Sequence, residues 1–332
     1  MNPFSSFLTR GGLLSTLLLL TGLAGRAQAP TWQSAMVVGG ANSNLAITAT
    51  APTASGDLYV AGGFSGIVGL GSTTLISTGG IDGFVAKWSP ATNDFTWAYR
   101  FGGSDIDQVT ALTLNNGHLY LAGTFFSPTA SFGSVNLVNY GGPNTVSTDA
   151  FVTRLTDLGT RATIDWAQQL GGPGQDAATT VVASGSAVYV GGSFASASAS
   201  FGGLSLANST TGTATVPADG FVVKLTDAGT SSSASWVRPV AGPGAEHVNA
   251  LAVNGSSVYV TGSFGGAVAT FGSSSLTNAS VTANAFVAKL TDAGASSSWQ
   301  WALGAGGASR DVGNALPCGA AGCTWPAPSP AT

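Results

Sequence analysis

The chain has 332 residues, of which only 7% are charged, against roughly 25% in average globular proteins, and 48 are glycine. Its formal charge is −4, and setting aside Arg10 and Arg26 near the N-terminus leaves eight basic against 14 acidic residues. No basic cluster exists, which argues against nucleic acid as a partner, since phosphate recognition needs grouped Lys or Arg. A flexible Gly/Ser chain is also excluded, because Val, Leu, Phe and Tyr recur at fixed positions.

Residues 1–29 read as an export signal. Arg10 supplies the positive segment, Leu13 to Leu23 the apolar core, and Ala27-Gln28-Ala29 the small-residue cleavage box. Pro30 hinders cleavage after Ala29, so cleavage after Ala27 is the alternative. The apolar run is too short to span a bilayer, and no later segment could cross as a helix. The expected localisation is therefore secreted or cell-surface associated.

Residues 30–316 carry one pattern, started by Trp32, Trp97, Trp166, Trp236 and Trp301 at spacings of 65, 69, 70 and 65 residues. Each copy continues with a Gly pair, an acid, a strand such as V-Y-V-G-G-S-F, an F-G-x-x-x-L segment and D-G-F-V-x-K-L. A fixed period of this size signals stacked or radial copies of one supersecondary unit.

The third copy shows the expected strands: Ala178 to Ala183, Ala187 to Phe194, Gly220 to Thr226 and Ser235 to Val240. Four short strands bounded by turn residues describe a propeller blade. The segment holding Phe201, Gly202 and Leu206 is expected to add a short hairpin, which lengthens the period. The predicted fold is all-β: a β-propeller of ~65–70-residue, four-stranded blades. It is incomplete and open, with four full blades and the start of a fifth. The Trp32 to Val38 element would serve as a ring-closing strand. Without closing blades, sheet edges at both ends would be exposed and prone to aggregation.

Tyr59, Tyr120, Tyr189 and Tyr259 fall in the middle of strand two, and Phe64, Phe125, Phe194 and Phe264 follow five residues later. Phe84, Phe151, Phe221 and Phe286 open strand three. Aromatics at these positions suit the interface between blades. Gly62, Gly123, Gly192 and Gly262 suit close backbone approach.

After Leu316 the pattern stops, and both cysteines, Cys318 and Cys323, lie beyond it. Restoring one base after the Leu316 codon permits V-Y-V-A-G-S-F at positions 323 to 329, with Tyr eight residues after Leu316 as Tyr259 is after Leu251. Residues 317–332 are therefore expected to be an out-of-frame tail, and the two cysteines to carry no redox or metal role.

Two acids recur in each copy. Asp107, Asp176, Glu246 and Asp311 follow the Gly pair; Asp82, Asp149, Asp219 and, as an amide, Asn284 precede the strand-three Phe. They could form a cation- or sugar-binding ring, but Asp and Asn commonly satisfy loop backbone groups, and that role is expected here. Asp105 and Asp107 are the only metal-ligand candidates, a D-x-D pair that lacks the further oxygens of a calcium loop. Asp157, Asp227 and Asp292 read as turn markers after strand three. His118 looks exposed, and His247 follows Glu246 in a loop. Glu246 is the only Glu, so a paired-Glu glycosidase site is excluded, although Asp could substitute. No cofactor and no catalytic residue is expected.

The motifs W-x(3–4)-G-G-x(3)-D, L-Y-V-A-G-x-F and D-G-F-V-x-K-L together resemble bacterial β-propeller repeats of the SBBP type, over about residues 32 to 316. The resemblance implies an exported bacterial protein, often part of a larger one, with no assigned activity. The chain departs from it in the F-G-x-x-x-L insert and in the missing closing blades. The expected function is a binding or scaffolding module for a protein or glycan ligand. The alternative is a secreted polysaccharide hydrolase or lyase acting through non-repeated loops, with His247 and Arg238 as the candidates.

Overall fold

A computed structural model describes residues 38–40, 43–142, 147–212, 215–280 and 282–316. The expected leader 1–29, the expected ring-closing element up to residue 37 and the expected out-of-frame tail 317–332 with both cysteines lie outside the described residues. Everything described belongs to one unit that begins at Val38.

The unit is all-β and consists of one module written four times. The first module holds β1 (Asn44–Pro52), β2 (Leu58–Ser65), β3 (Ile67–Leu70), β4 (Thr73–Ile76), β5 (Asp82–Ser89) and β6 (Asp94–Phe101). The second holds β7 (Asp107–Asn115), β8 (His118–Phe125), β9 (Thr129–Phe132), β10 (Val135–Val138), β11 (Asp149–Asp157) and β12 (Ala162–Gly171). The third runs through β13 (Asp176–Ser184), β14 (Ala187–Phe194), β15 (Ser198–Phe201), β16 (Leu204–Ala207), β17 (Asp219–Asp227) and β18 (Ser232–Val240). The fourth comprises β19 (Glu246–Asn254), β20 (Ser257–Phe264), β21 (Val268–Phe271), β22 (Ser274–Thr277), β23 (Asn284–Asp292) and β24 (Ser297–Ala305).

In each module the four long strands form an antiparallel meander, for example β13-β14-β17-β18. The turn between the first two long strands of the second module is Asn116-Gly117, with φ of 51° and 79°, the left-handed pair that a tight hairpin requires. The two short strands make the predicted extra hairpin. That hairpin reaches back to the preceding module: β15 pairs with β12, and single bridges join Gly102 to Ser131 and Ala241 to Thr270.

Strands two and three of the first three modules are buried on both sides because modules pack face to face, whereas β23 of the fourth module alternates buried and half-buried residues. One cluster unites Tyr120, Val152 and Trp166 of the second module with Val181, Val188 and Phe221 of the third. Every predicted aromatic is buried, from Phe84 at 0% exposure to Tyr59 and Tyr259 at 5%.

The first strands of successive modules, β1, β7, β13 and β19, lie against one another. Each carries a β-bulge, at Ile47/Ala49, Val109/Ala111, Ala178/Thr180 and Val248/Ala250. The bulge pushes its backbone into strand two, and only glycine fits there. A Cβ on Gly62, Gly123, Gly192 or Gly262 would lie 1.8 to 2.0 Å from a carbonyl oxygen of strand one. The residue at the bulge is free of the ladder and reaches the next module. Thr48 Oγ1 donates to the Val109 carbonyl (2.6 Å), Thr110 Oγ1 to Ala178 (2.6 Å), and Thr179 Oγ1 to Val248. Asn249 takes the same place in the fourth module, donating to the Gly313 carbonyl at 3.0 Å.

No strand pairing joins the first module to the fourth among the described residues. The sequence suggested exposed sheet edges at the two ends. At the two ends, Ile47 on β1 is exposed by 45% and Leu303 on β24 by 46%.

Candidate functional site: the junctions between modules

The side chains shared by all modules meet at their junctions. Asp157, read from sequence as a turn marker, does accept the Gly159 N–H at 2.7 Å within its own turn. Its main partners belong to the module before. It accepts from Tyr59 Oη (2.7 Å), Trp97 Nε1 (2.8 Å) and Lys87 Nζ (2.9 Å). Asp227 repeats this with Tyr120 (2.7 Å), Trp166 (2.9 Å) and Arg154 (3.3 Å). Asp292 repeats it with Tyr189 (2.6 Å), Trp236 (3.0 Å) and Lys224 (2.6 Å). The bulge in the fourth long strand places the initiating Trp opposite the Lys or Arg of strand three, as in the Lys224–Trp236 pair. Burial pushes these carboxyls up, but the cation, the phenol and the glycine N–H together hold Asp157 below the ordinary carboxylate range. Burial and Asp227 push the Tyr120 hydroxyl up to about 12.

Three of the four acids after the Gly pair, Asp107, Asp176 and Asp311, accept from loop N–H groups. Asp107 Oδ2 accepts from Gly103 N (2.6 Å) and Ser127 Oγ (2.7 Å), and Oδ1 from Phe126 N and Ser127 N. Asp176 does the same with Gly172, Ser196 and Ala195. Asp311 accepts from Gly307 N at 2.9 Å. With donors on both oxygens, Asp107 has little left for a cation, while half-buried Asp105 accepts its neighbour's N–H. The two do not converge on one point through these bonds, and no group of three metal-ligating side chains occurs among the described residues.

The second set of acids faces the first across each junction. A Cβ on Gly102, whose φ is 136°, would lie 2.7 Å from Asp107 Oδ2 and 2.9 Å from Asp82 Oδ1. Asp82 Oδ2 is paired with Arg100 at 2.6 Å. Asp149 has no such cation; Tyr140 N and Gln169 Nε2 serve its Oδ2, while its Oδ1 has no partner. Burial pushes Asp149 up to about 7 and Asp176 up to about 6.

The third junction breaks the pattern in a way sequence alone did not disclose. Glu246 is fully buried and neither carboxylate oxygen has a partner. Where the other loops offer Ser127 or Ser196, this one has Gly266, so the hydroxyl donor is missing. Burial, reinforced by the neighbouring Asp219, pushes Glu246 up to about 8. The visible signal was the joint change of Asp to Glu and Ser to Gly at repeat positions.

Both histidines sit differently from expectation. His118 is half-buried, its Nδ1 3.0 Å from Thr156 Oγ1 on the neighbouring strand. His247 lies on β19 rather than in a loop, and burial pushes its imidazole down, with Arg310 adding to the effect. Arg238 donates from Nε and Nη2 to the Ser297 carbonyl at 3.1 and 2.6 Å. It lines an open groove of about 350 Å³ between the third and fourth modules, with Trp299 and Ser297. There Trp299 Nε1 and Ser297 Oγ are buried without partners.

No family model matches the chain. A stretch of 133 residues is 33% identical to the regulatory protein FlaEY of Caulobacter vibrioides. The match covers 39% of the chain and only 12% of that protein, so the similarity is one of part to part.

Proposed function

We propose that the chain is an exported β-propeller of the SBBP type that binds or scaffolds a protein or glycan at or outside the cell surface. The signal-type leader supports export. The radial arrangement is supported by the first strands, which lie side by side from module to module while the hairpins sit on the outer strands. One observation carries the binding role: the repeated Tyr, Trp, cation and Asp side chains are committed to the three joints, whereas Arg238 and Trp299, whose repeat positions hold Gln168 and Ala234 in neighbouring modules, line an open groove between the third and fourth modules. A Trp ring surface and a guanidinium are groups that hold sugars and peptide carboxylates.

Two measurements test this reading. N-terminal sequencing of protein from the source cells should find the chain cut after Ala27 or Ala29, in the extracellular or surface fraction; an intact leader on a cytoplasmic protein would refute export. A glycan array probed with the native chain and with Arg238→Ala should show binding that the substitution abolishes. Equal binding by both, or polymer hydrolysis that depends on one loop residue, would overturn the binding role.

A further inference from the structure

We infer that the outward face of the fourth module is a docking site for a further repeat unit whose third strand ends in Thr-Asp-x-Gly, the aspartate seating between Tyr259, Lys289 and Trp301. The inference concerns the joints alone and does not rest on the ligand reading above.

Three times in this molecule a Tyr, a Trp and a Lys or Arg on one module hold the aspartate of the next. The fourth module builds the same receptor. The Tyr259 and Trp301 rings are 6.4 Å apart, against 6.0, 6.3 and 6.0 Å in the occupied joints. Lys289 Nζ stands 5.9 Å from the centre of the Tyr259 ring, as Lys224 stands 5.9 Å from that of Tyr189. Yet no carboxylate reaches Tyr259, Lys289 or Trp301 among the described residues. A buried phenol, an indole N–H and an ammonium aimed at one place recognise a carboxylate, and the pattern specifies which one.

The path toward the next unit is already laid. Asp311 N donates to the Ala283 carbonyl at 2.8 Å, as Asp107, Asp176 and Glu246 donate at the earlier junctions. Asn249 holds Gly313. Leu316 packs on the Ala252–Tyr259 cluster that Trp301 also covers, as Leu251 shares a cluster with Tyr189 and Trp236. Among the described residues no third strand brings an acid to this receptor. A second copy of this chain cannot supply it from its first module, because Pro90 follows Ser89 where the later modules have Thr-Asp. Residues 317–332 contain no Asp or Glu.

The chain has three lysines, Lys87, Lys224 and Lys289, and each belongs to a receptor of this kind. Acetylation of the native full chain with an amine-reactive ester, read by mass spectrometry, therefore reports each joint separately. Lys289 should react roughly tenfold or more faster than Lys224, the factor a charge-assisted hydrogen bond implies. A second protein continues the chain after Leu316 with a copy of residues 252–316, marked in mass at one exposed position. In it Lys289 should slow to the rate of Lys224, and Asp→Asn at the copied counterpart of Asp292 should restore the fast rate. The inference is overturned if Lys289 is already as slow as Lys224 in the native chain. It is equally overturned if Lys289 stays fast in the extended protein, whether the added unit folds or not, or if the Asp→Asn change has no effect.

Discussion

Glu246→Gln should flatten the pH dependence of stability above neutrality. The native carboxyl is pushed to about 8, against an ordinary value of 4.5, by burial and by Asp219, which the Gly266 N–H only partly opposes. An acid raised in the folded state stabilises fully below its unfolded value, and that contribution is lost as pH climbs toward the folded one. At about 1.4 kcal/mol per pH unit, the whole loss is on the order of 5 kcal/mol, of which about 2 kcal/mol falls between pH 6.5 and 8. The upper window is the cleaner one. Half-buried His247, pushed below its ordinary 6.5, works in the opposite direction at lower pH. Asp149, at about 7, adds a smaller loss of the same sign. Urea unfolding at pH 6.5, 7.3 and 8 should show the native chain losing about 2 kcal/mol or somewhat more. Glutamine keeps the shape and cannot ionise, so the variant should retain only the smaller loss from Asp149. An unchanged slope in the variant, or a native chain that gains stability over this range, would refute the assignment of a buried, unpaired Glu246.

The joints should be costly to break: Asp227→Asn should lower stability by roughly 2–4 kcal/mol in urea titrations, while exposed Asp94→Asn stays within about 0.5 kcal/mol. Because the joint carboxyls Asp157, Asp227 and Asp292 are held below 3.8, their contribution is present above that pH and should vanish on acidification through the depressed values. A melting temperature that is flat from pH 5 to pH 2 would contradict this. Gly192→Ala places a Cβ 1.9 Å from the Ala177 carbonyl and should prevent folding of the third module, read as lost amide protection. Gly185→Ala meets nothing within 4 Å and should cost only about 1 kcal/mol for its φ of 60°. Thr110→Val removes the hydroxyl bond to the Ala178 carbonyl and should cost about 1 kcal/mol, measured by equilibrium unfolding.

Much of the architecture was legible because it is local. The predicted second strand, Ala187 to Phe194, matches β14 to the residue, and the expected hairpin around Phe201 and Leu206 is β15 and β16. Alternation and turn residues decide such elements within a few positions of one another. What escaped is non-local. Asp157 meets Tyr59 across 98 residues, and inside its own hairpin it shows only the face of a turn residue. The bulges escaped too: one extra residue per first strand shifts the alternation, and this put His247 in a loop when it belongs to β19. The role of the strand-two glycines was readable, but the cause was that bulge rather than a crowded axis. Glu246 differs from Asp by one methylene in the sequence, and its loss of donors depends on Gly266, twenty residues away.

Each joint is written half in one repeat and half in the next: receptor Tyr, Trp and cation first, aspartate 56 to 107 residues later. A gene that gains or loses one whole repeat therefore leaves every remaining joint with both of its halves. Copy number can drift by unequal recombination without any compensating substitution, whereas an insertion of half a repeat would orphan a buried carboxylate and a buried cation together. The unit of inheritance in such a chain is the period itself, and selection on a single residue of a joint acts at once on two neighbouring copies.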